Sequence, residues 1–387
     1  SLFPSTPSEQ APDVIAYVDP KFKMPQVWRS NLNVDIQLPY DFMLSVGAMY
    51  TRDIYNVAQI NMNEAEPTGV YNEQPDRIYW ASKKYEYNDY TNGKNVVVKL
   101  SNGEDKGYQY SFNAILTKKY DFGFTGSIGY TYTMAKDLTA NPGSAPNSAW
   151  QNNVAVNSLN DPGVSYSLFS TPHRIIANAS YEINYAKCLK TTFSLFYSGY
   201  HTGRYSYTYY NDMNGDGNYS DLIYVPNSQD EMTFVDITDK SGAITYSAVD
   251  QAKDFWDFVN NDSYLKDRKG KYVERNGSLT PWINRIDFKI AQDFYATLGG
   301  RKYGIQVSLD MLNVGNMINS KWGAYQSCGL KSYDNVQLLK TASKVGEPLT
   351  YQINANSREA FKERSSWQYT NTIGSAWSMQ LGVKVTF

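Results

Sequence analysis

The last eleven residues, Trp377 to Phe387, alternate without interruption. Trp377, Met379, Leu381, Val383, Val385 and Phe387 hold the odd positions, and Ser378, Gln380, Gly382, Lys384 and Thr386 the even ones. Successive side chains of an extended strand point to opposite faces, so this segment has one apolar and one polar face. The same period runs through Phe42, Leu44, Val46, Ala48 and Tyr50, and through Phe122, Phe124, Ile128, Tyr130, Tyr132 and Met134. It returns in Tyr303, Ile305, Val307, Leu309 and Met311, and more weakly over 27–38, 107–119, 172–184, 190–204 and 282–294. With the terminal segment this predicts nine long strands.

The connections between them fall into two alternating classes. Short ones are expected at Pro39–Asp41, Lys119–Asp121, Tyr185–Leu189 and Tyr295–Arg301, and long ones over 53–106, 136–171, 205–281 and 314–375. A tilted strand crosses a bilayer in about 9–11 residues, and membrane barrels join such strands by short periplasmic turns and long extracellular loops. The fold class predicted is all-β: a transmembrane antiparallel β-barrel with long extracellular loops. Nine is odd, whereas single-chain bacterial barrels have even strand numbers. Residues 1–26 are therefore expected in an extracellular loop, 27–387 as the C-terminal portion of the barrel, and the remaining strands outside this chain. A soluble sandwich or propeller also alternates, but its strands average about 5–6 residues.

Composition agrees. The chain has 34 Tyr, 16 Phe and 8 Trp among 387 residues, yet only 19% are charged and mean hydropathy is −0.53. No run nears the roughly 20 apolar residues of a membrane helix. A net charge of −2 argues against nucleic acid as a partner, which needs clustered positive charge. Ser1-Leu-Phe-Pro-Ser-Thr-Pro has no basic start and no apolar stretch, so it does not read as a signal peptide.

Several stretches resemble, in order, the C-terminal part of TonB-dependent outer-membrane receptors of the Oar-like, Bacteroidetes type. They are Leu38-Pro-Tyr-Asp41, Thr171-Pro-His-Arg174, Asp212-Met-Asn-Gly-Asp-Gly217 with Asp221-Leu-Ile-Tyr-Val-Pro226, Arg275-Asn-Gly277 leading to Pro281-Trp-Ile-Asn-Arg-Ile-Asp287, and Asp310-Met-Leu-Asn-Val-Gly-Asn316 with Lys321-Trp-Gly323. The resemblance implies a 22-stranded barrel closed by an N-terminal plug, taking up large or scarce substrates with energy relayed by the TonB complex. Plug and TonB box are absent from these residues. The implied partners are outer-membrane lipid, the missing strands and plug, the TonB complex through that plug, an unidentified extracellular ligand, and the barrel assembly machinery. The last would read the aromatic-ended strand Trp377, Met379, Leu381, Val383, Val385 and Phe387 as its assembly signal.

Three groups of residues could carry chemistry. Asp212, Asn214, Asp216 and Gly217 have the spacing of the first half of an EF-hand-type loop, with Asp221 the nearest spare carboxylate where a bidentate Glu is missing. Ca2+ is the cofactor expected there; the competing reading is an Asx-rich turn. Tyr205, Tyr207, Tyr209 and Tyr210 form a ladder leaving the outer rim, either an interfacial girdle or an aromatic platform for substrate. Ala248, Val249, Ala252, Phe255, Trp256 and Val259 have helical spacing, so a short helix is expected in the third long loop. His173 and His201, the only histidines, lack a nucleophile motif, so a barrel hydrolase is disfavoured and no catalytic residue is expected. Cys188 and Cys328 are expected on opposite sides of the bilayer and unpaired. A structural or adhesive surface barrel is the alternative function.

Overall fold

The computed structural model describes residues 14–87, 96–328, 331–332, 335–354, 360–361, 367–370 and 372–387. Nine long strands run in chain order, each antiparallel to the next: β1 (Gln26–Leu38), β2 (Phe42–Tyr55), β3 (Tyr108–Lys119), β4 (Phe124–Asp137), β5 (His173–Tyr185), β6 (Leu189–His201), β7 (Trp282–Leu298), β8 (Arg301–Leu312) and β9 (Ser378–Thr386). A two-residue strand, Ser165–Tyr166, adds to β4. All nine expected strands are present. No helix among the described residues is long and apolar enough to cross a membrane.

Register shows why the alternation is so regular. Phe124, Tyr181, Phe193, Ile290, Leu309 and Leu381 stand side by side across six strands. One residue along, Thr125, Ser180, Ser194, Lys289, Asp310 and Gln380 make the neighbouring row, on the opposite face. Lys289 and Asp310 pair there at 2.8 Å. A slip of one residue in any strand would carry a charge onto the apolar face, so patterning alone specifies the register. The sheet is open: β1 and β9 are its two edges.

Some limits differ from the sequence reading. Strand β7 continues to Leu298, and the turn after it is only Gly299 and Gly300, with φ of 59° and 78°. Two consecutive left-handed residues match the twist of a two-residue hairpin, and glycine adopts them without a Cβ penalty. Strand β6 ends at His201 rather than 204; the chain then bends away from the sheet plane.

The long connections pack against one another into a cap. Arg204–Tyr209 pairs in parallel with Asn335–Thr341, from a different connection, and antiparallel with Ser278–Leu279. Val14–Val18, expected as loop, pairs in parallel with Val96–Ser101, which also pairs with Ala58–Asn61; residues 1–13 lie outside the described residues. The expected helix spans Ala248–Asn261, its start capped by the Ser247 hydroxyl accepting from the Asp250 N–H. It buries Phe255, Phe258 and Val259, while Val249 is exposed. The main apolar core gathers around Tyr207, Tyr209, Ile223, Phe258, Leu338 and Ile353, all in the cap. The sheet itself has almost none, as expected of a wall whose apolar side meets lipid.

The two faces should respond differently to one charge. Ile290→Lys, on the apolar row near the middle of β7, should destabilise the protein by about 2–4 kcal/mol in lipid. Ser180→Lys, on the polar row, should cost less than about 1 kcal/mol, as read by denaturant unfolding in the same vesicles.

Candidate functional site

The cap is held by three buried arginines that reach between connections. Arg77, wholly buried, donates to the main-chain carbonyls of Val156 and Leu222 and to the Gln74 side chain at 3.2 Å, and pairs with Asp221 at 3.4 Å. Arg204 donates to the carbonyls of Ser170 and Asn276, each at 3.1 Å. Arg275 donates to the Leu138 carbonyl at 2.6 Å and pairs with Asp137 at 3.4 Å. A guanidinium offers five donors in a rigid fork and keeps its charge when buried, which suits it to joining carbonyls from separate segments. Arg77 and Arg204 were not singled out from sequence; an isolated arginine in a loop carries no signal of burial.

The tyrosine ladder lies inside this cap. Tyr205, Tyr207 and Tyr209 are 3%, 1% and 0% exposed. The Tyr207 hydroxyl donates to Asp262 at 2.7 Å, and Gln74 donates to the hydroxyls of Tyr209 and Tyr351, each at 2.9 Å. Ser206 and Thr208 are buried too, because Arg204–Tyr209 is a central strand covered on both faces. These three rings therefore form neither a girdle nor a platform. Tyr210 alone of the four is exposed, at 47%. It borders a cleft of about 650 Å3 lined by Gln151, Asn152, Asn211, Asn218, Tyr219 and Gln337 among others, rich in amides and bearing no charged side chain.

The acidic loop is ordered and partly buried. The Asp212 carboxylate accepts the N–H groups of Gly215 at 2.7 Å and Gly217 at 2.9 Å; Asn214 Oδ1 accepts that of Asp216 at 3.0 Å; Asp216 accepts that of Asn218 at 2.7 Å. Gly215 and Gly217 have φ of 82° and 93°, and a side chain on Gly215 would run into the Trp80 carbonyl. Asp221 lies close enough to act on Asp216 but has partners of its own. One of its oxygens accepts the Met213 N–H at 3.1 Å and the other faces Arg77, so it fastens the loop to the cap. Among the described residues no three His, Cys, Asp or Glu side chains gather round one point. Burial raises the carboxyls of Asp212 and Asp216 above the usual range, and Asp221 is pushed up to about 7 by burial, with Arg77 opposing.

The remaining candidates are structural in setting. His173 Nδ1 meets the Tyr130 hydroxyl at 2.6 Å, and His201 Nδ1 meets the Thr280 carbonyl at 2.6 Å. Cys188 lies exposed in a short turn, Cys328 buried in the cap, and neither forms a disulfide. Trp377, Met379, Leu381, Val383, Val385 and Phe387 are all exposed, from 45% to 95%, along the β9 edge.

Nine antiparallel strands, an apolar face left exposed among the described residues and a core displaced into the connections describe a membrane wall. A family model for an outer membrane beta barrel domain matches residues 2–323. The chain belongs to that family. No curated protein and no solved structure matches it. As an outer membrane β-barrel domain, the sheet stands in the bacterial outer membrane, and the rows through Leu381 are its lipid-facing side.

The buried anchors should separate cleanly from the exposed ring. Arg77→Met leaves Asp221 buried without its partner and should cost about 3–5 kcal/mol. Tyr209→Ala should cost about 3–5 kcal/mol, and Tyr210→Ala no more than about 0.5 kcal/mol. Proteolysis of the cap under partial denaturation checks all three.

Proposed function

We propose that this chain is the C-terminal portion of a TonB-dependent outer-membrane transporter. Its strands would form part of the wall of a 22-stranded barrel, and its cap would bind or gate a large or scarce substrate during energised uptake. The observation that carries this reading is the pair of open edges. In lipid each unsatisfied backbone group costs several kcal/mol, so β1 and β9 need further strands, and at the size of the resembling receptors the lumen is one that a plug closes. The ordered motifs from Leu38-Pro-Tyr-Asp41 to Lys321-Trp-Gly323 support the same family. Alternating connection lengths favour short turns in the periplasm and the cap outside the cell. The exposed Tyr210 and the amide-lined cleft beside it are where we place substrate contact, with the buried tyrosines as its support. No residue is assigned a covalent role: His201 Nδ1 meets a main-chain carbonyl and His173 Nδ1 a tyrosine hydroxyl, and the sequence around them carries no nucleophile motif.

Two measurements test this. Protease added to intact cells should cut only within the cap; cleavage at Tyr40, Asp121, Lys187 or Gly299 would reverse the topology. The gene should encode a plug and a TonB-binding segment ahead of Ser1, and the protein should cross-link to TonB in cells. A gene without a plug, or a protein indifferent to TonB, leaves the structural or adhesive barrel as the function.

A further inference from the structure

The loop from Asp212 to Asp221 has a feature that its internal turns do not explain. Tyr85, from another connection, is 2% exposed, and its hydroxyl has no hydrogen-bond partner. That hydroxyl points into the loop, 3.0 Å from where a Cβ on Gly217 would sit. A buried hydroxyl left without a partner is destabilising, because the hydrogen bonds it made to water are not replaced. The carboxylates of Asp216 and Asp212 are the charges that act most strongly on it. Charge is also out of balance. Asp216 and Asp221 are buried and Asp212 half-buried, with the Glu64 carboxylate near enough to act on Asp216. Arg77 is engaged by Asp221, and Lys84, whose Nζ comes within 3.3 Å of the same point by Gly217, is the other cation at hand. One buried carboxylate, Asp216, one half-buried, Asp212, and an orphaned hydroxyl thus share one lysine.

We propose that this loop binds a Ca2+ ion through the side-chain oxygens of Asp212, Asn214 and Asp216, with the Tyr85 hydroxyl facing the ion. Asp221 is left out of the set because its other oxygen is engaged by the Arg77 guanidinium; it positions the loop through the Met213 N–H. The main-chain carbonyl of Asn218, at the seventh position counted from Asp212, is where such loops supply a backbone oxygen. A carboxylate that accepts one N–H per oxygen keeps lone pairs for a cation, so the turns already present do not compete with it. All the donors are oxygen, which selects a hard cation. Asn214 and Asp216 are 0% and 4% exposed, leaving little room for the waters Mg2+ retains, so Ca2+ is favoured. The ion would fix residues 217–220, which form one wall of the Tyr210 cleft.

The test uses the whole protein purified from outer membranes in detergent and stripped with chelator. Ca2+ titration by calorimetry should show one site with Kd of about 10⁻⁴–10⁻³ M, weakened about tenfold or more in Asp216→Asn and little affected by Mg2+. Tb3+ at the site should luminesce on tyrosine excitation in the wild type and lose most of that signal in Tyr85→Phe, which removes the sensitising phenol without touching a carboxylate. Absence of saturable Ca2+ binding in the wild type would overturn the proposal, with Lys84 then sufficing as counter-charge. Binding unchanged in both Asp212→Asn and Asp216→Asn would overturn it equally, by placing the ion elsewhere.

Discussion

Backbone amides and carbonyls must be satisfied where there is no water, and most of this structure follows from that constraint. Inside hydrocarbon an unpaired N–H has nowhere to turn, so the spanning segments must pair along their whole length with neighbours. Nine strands do so here in antiparallel register, with one shift at Gln26/Val27 at the end of the first pair. Because pairing is otherwise regular, side chains are divided between two faces, and the sequence within each strand is free to be polar at every second position. That is how a chain with mean hydropathy of −0.53 can make a membrane wall.

The same division leaves the sheet without a core of its own. The apolar rows face lipid and the polar rows face inward, so tertiary packing moves to the long connections. There, parallel pairing of Arg204–Tyr209 with Asn335–Thr341 ties the third connection to the fourth. Arg77 ties the first to the second and third. Burying guanidinium groups is costly unless their donors are used, and here the donors go to main-chain carbonyls outside the regular strands, at Val156, Leu222, Ser170, Asn276 and Leu138. The cap is thus packed around its tyrosines, while the polar cleft at Tyr210 lies beside the acidic loop.

Sheet order and strand count were legible in the sequence, since a period of two held over a dozen residues fits an extended strand and no helix. Strand ends were less so: nothing in Ala296, Thr297 and Leu298 announces that pairing continues to the Gly299–Gly300 turn. The tyrosines were misplaced for a definite reason. Alternation at 205, 207 and 209 suits a strand with one wet face, but a doubly covered central strand reads the same when its other positions are small, as Ser206 and Thr208 are. Its neighbour in the sheet is Asn335–Thr341, more than a hundred residues away, and local periodicity carries no trace of that partner. Asp221 was likewise read by nearness in sequence to Asp216, whereas its partner is Arg77, from the first connection. The glycines of the acidic loop, by contrast, were informative, because left-handed backbone at 215 and 217 favours them strongly.

The two open edges are the point on which the whole account turns. They make sense if β1 and β9 meet other strands of a larger barrel, and not if the nine strands close on themselves. Electron cryomicroscopy of the intact protein in lipid nanodiscs decides between these. The account predicts further strands paired to the outer sides of Gln26–Leu38 and Ser378–Thr386, completing a ring with the cap over one mouth. A ring in which Gln26–Leu38 bonds directly to Ser378–Thr386 would contradict it.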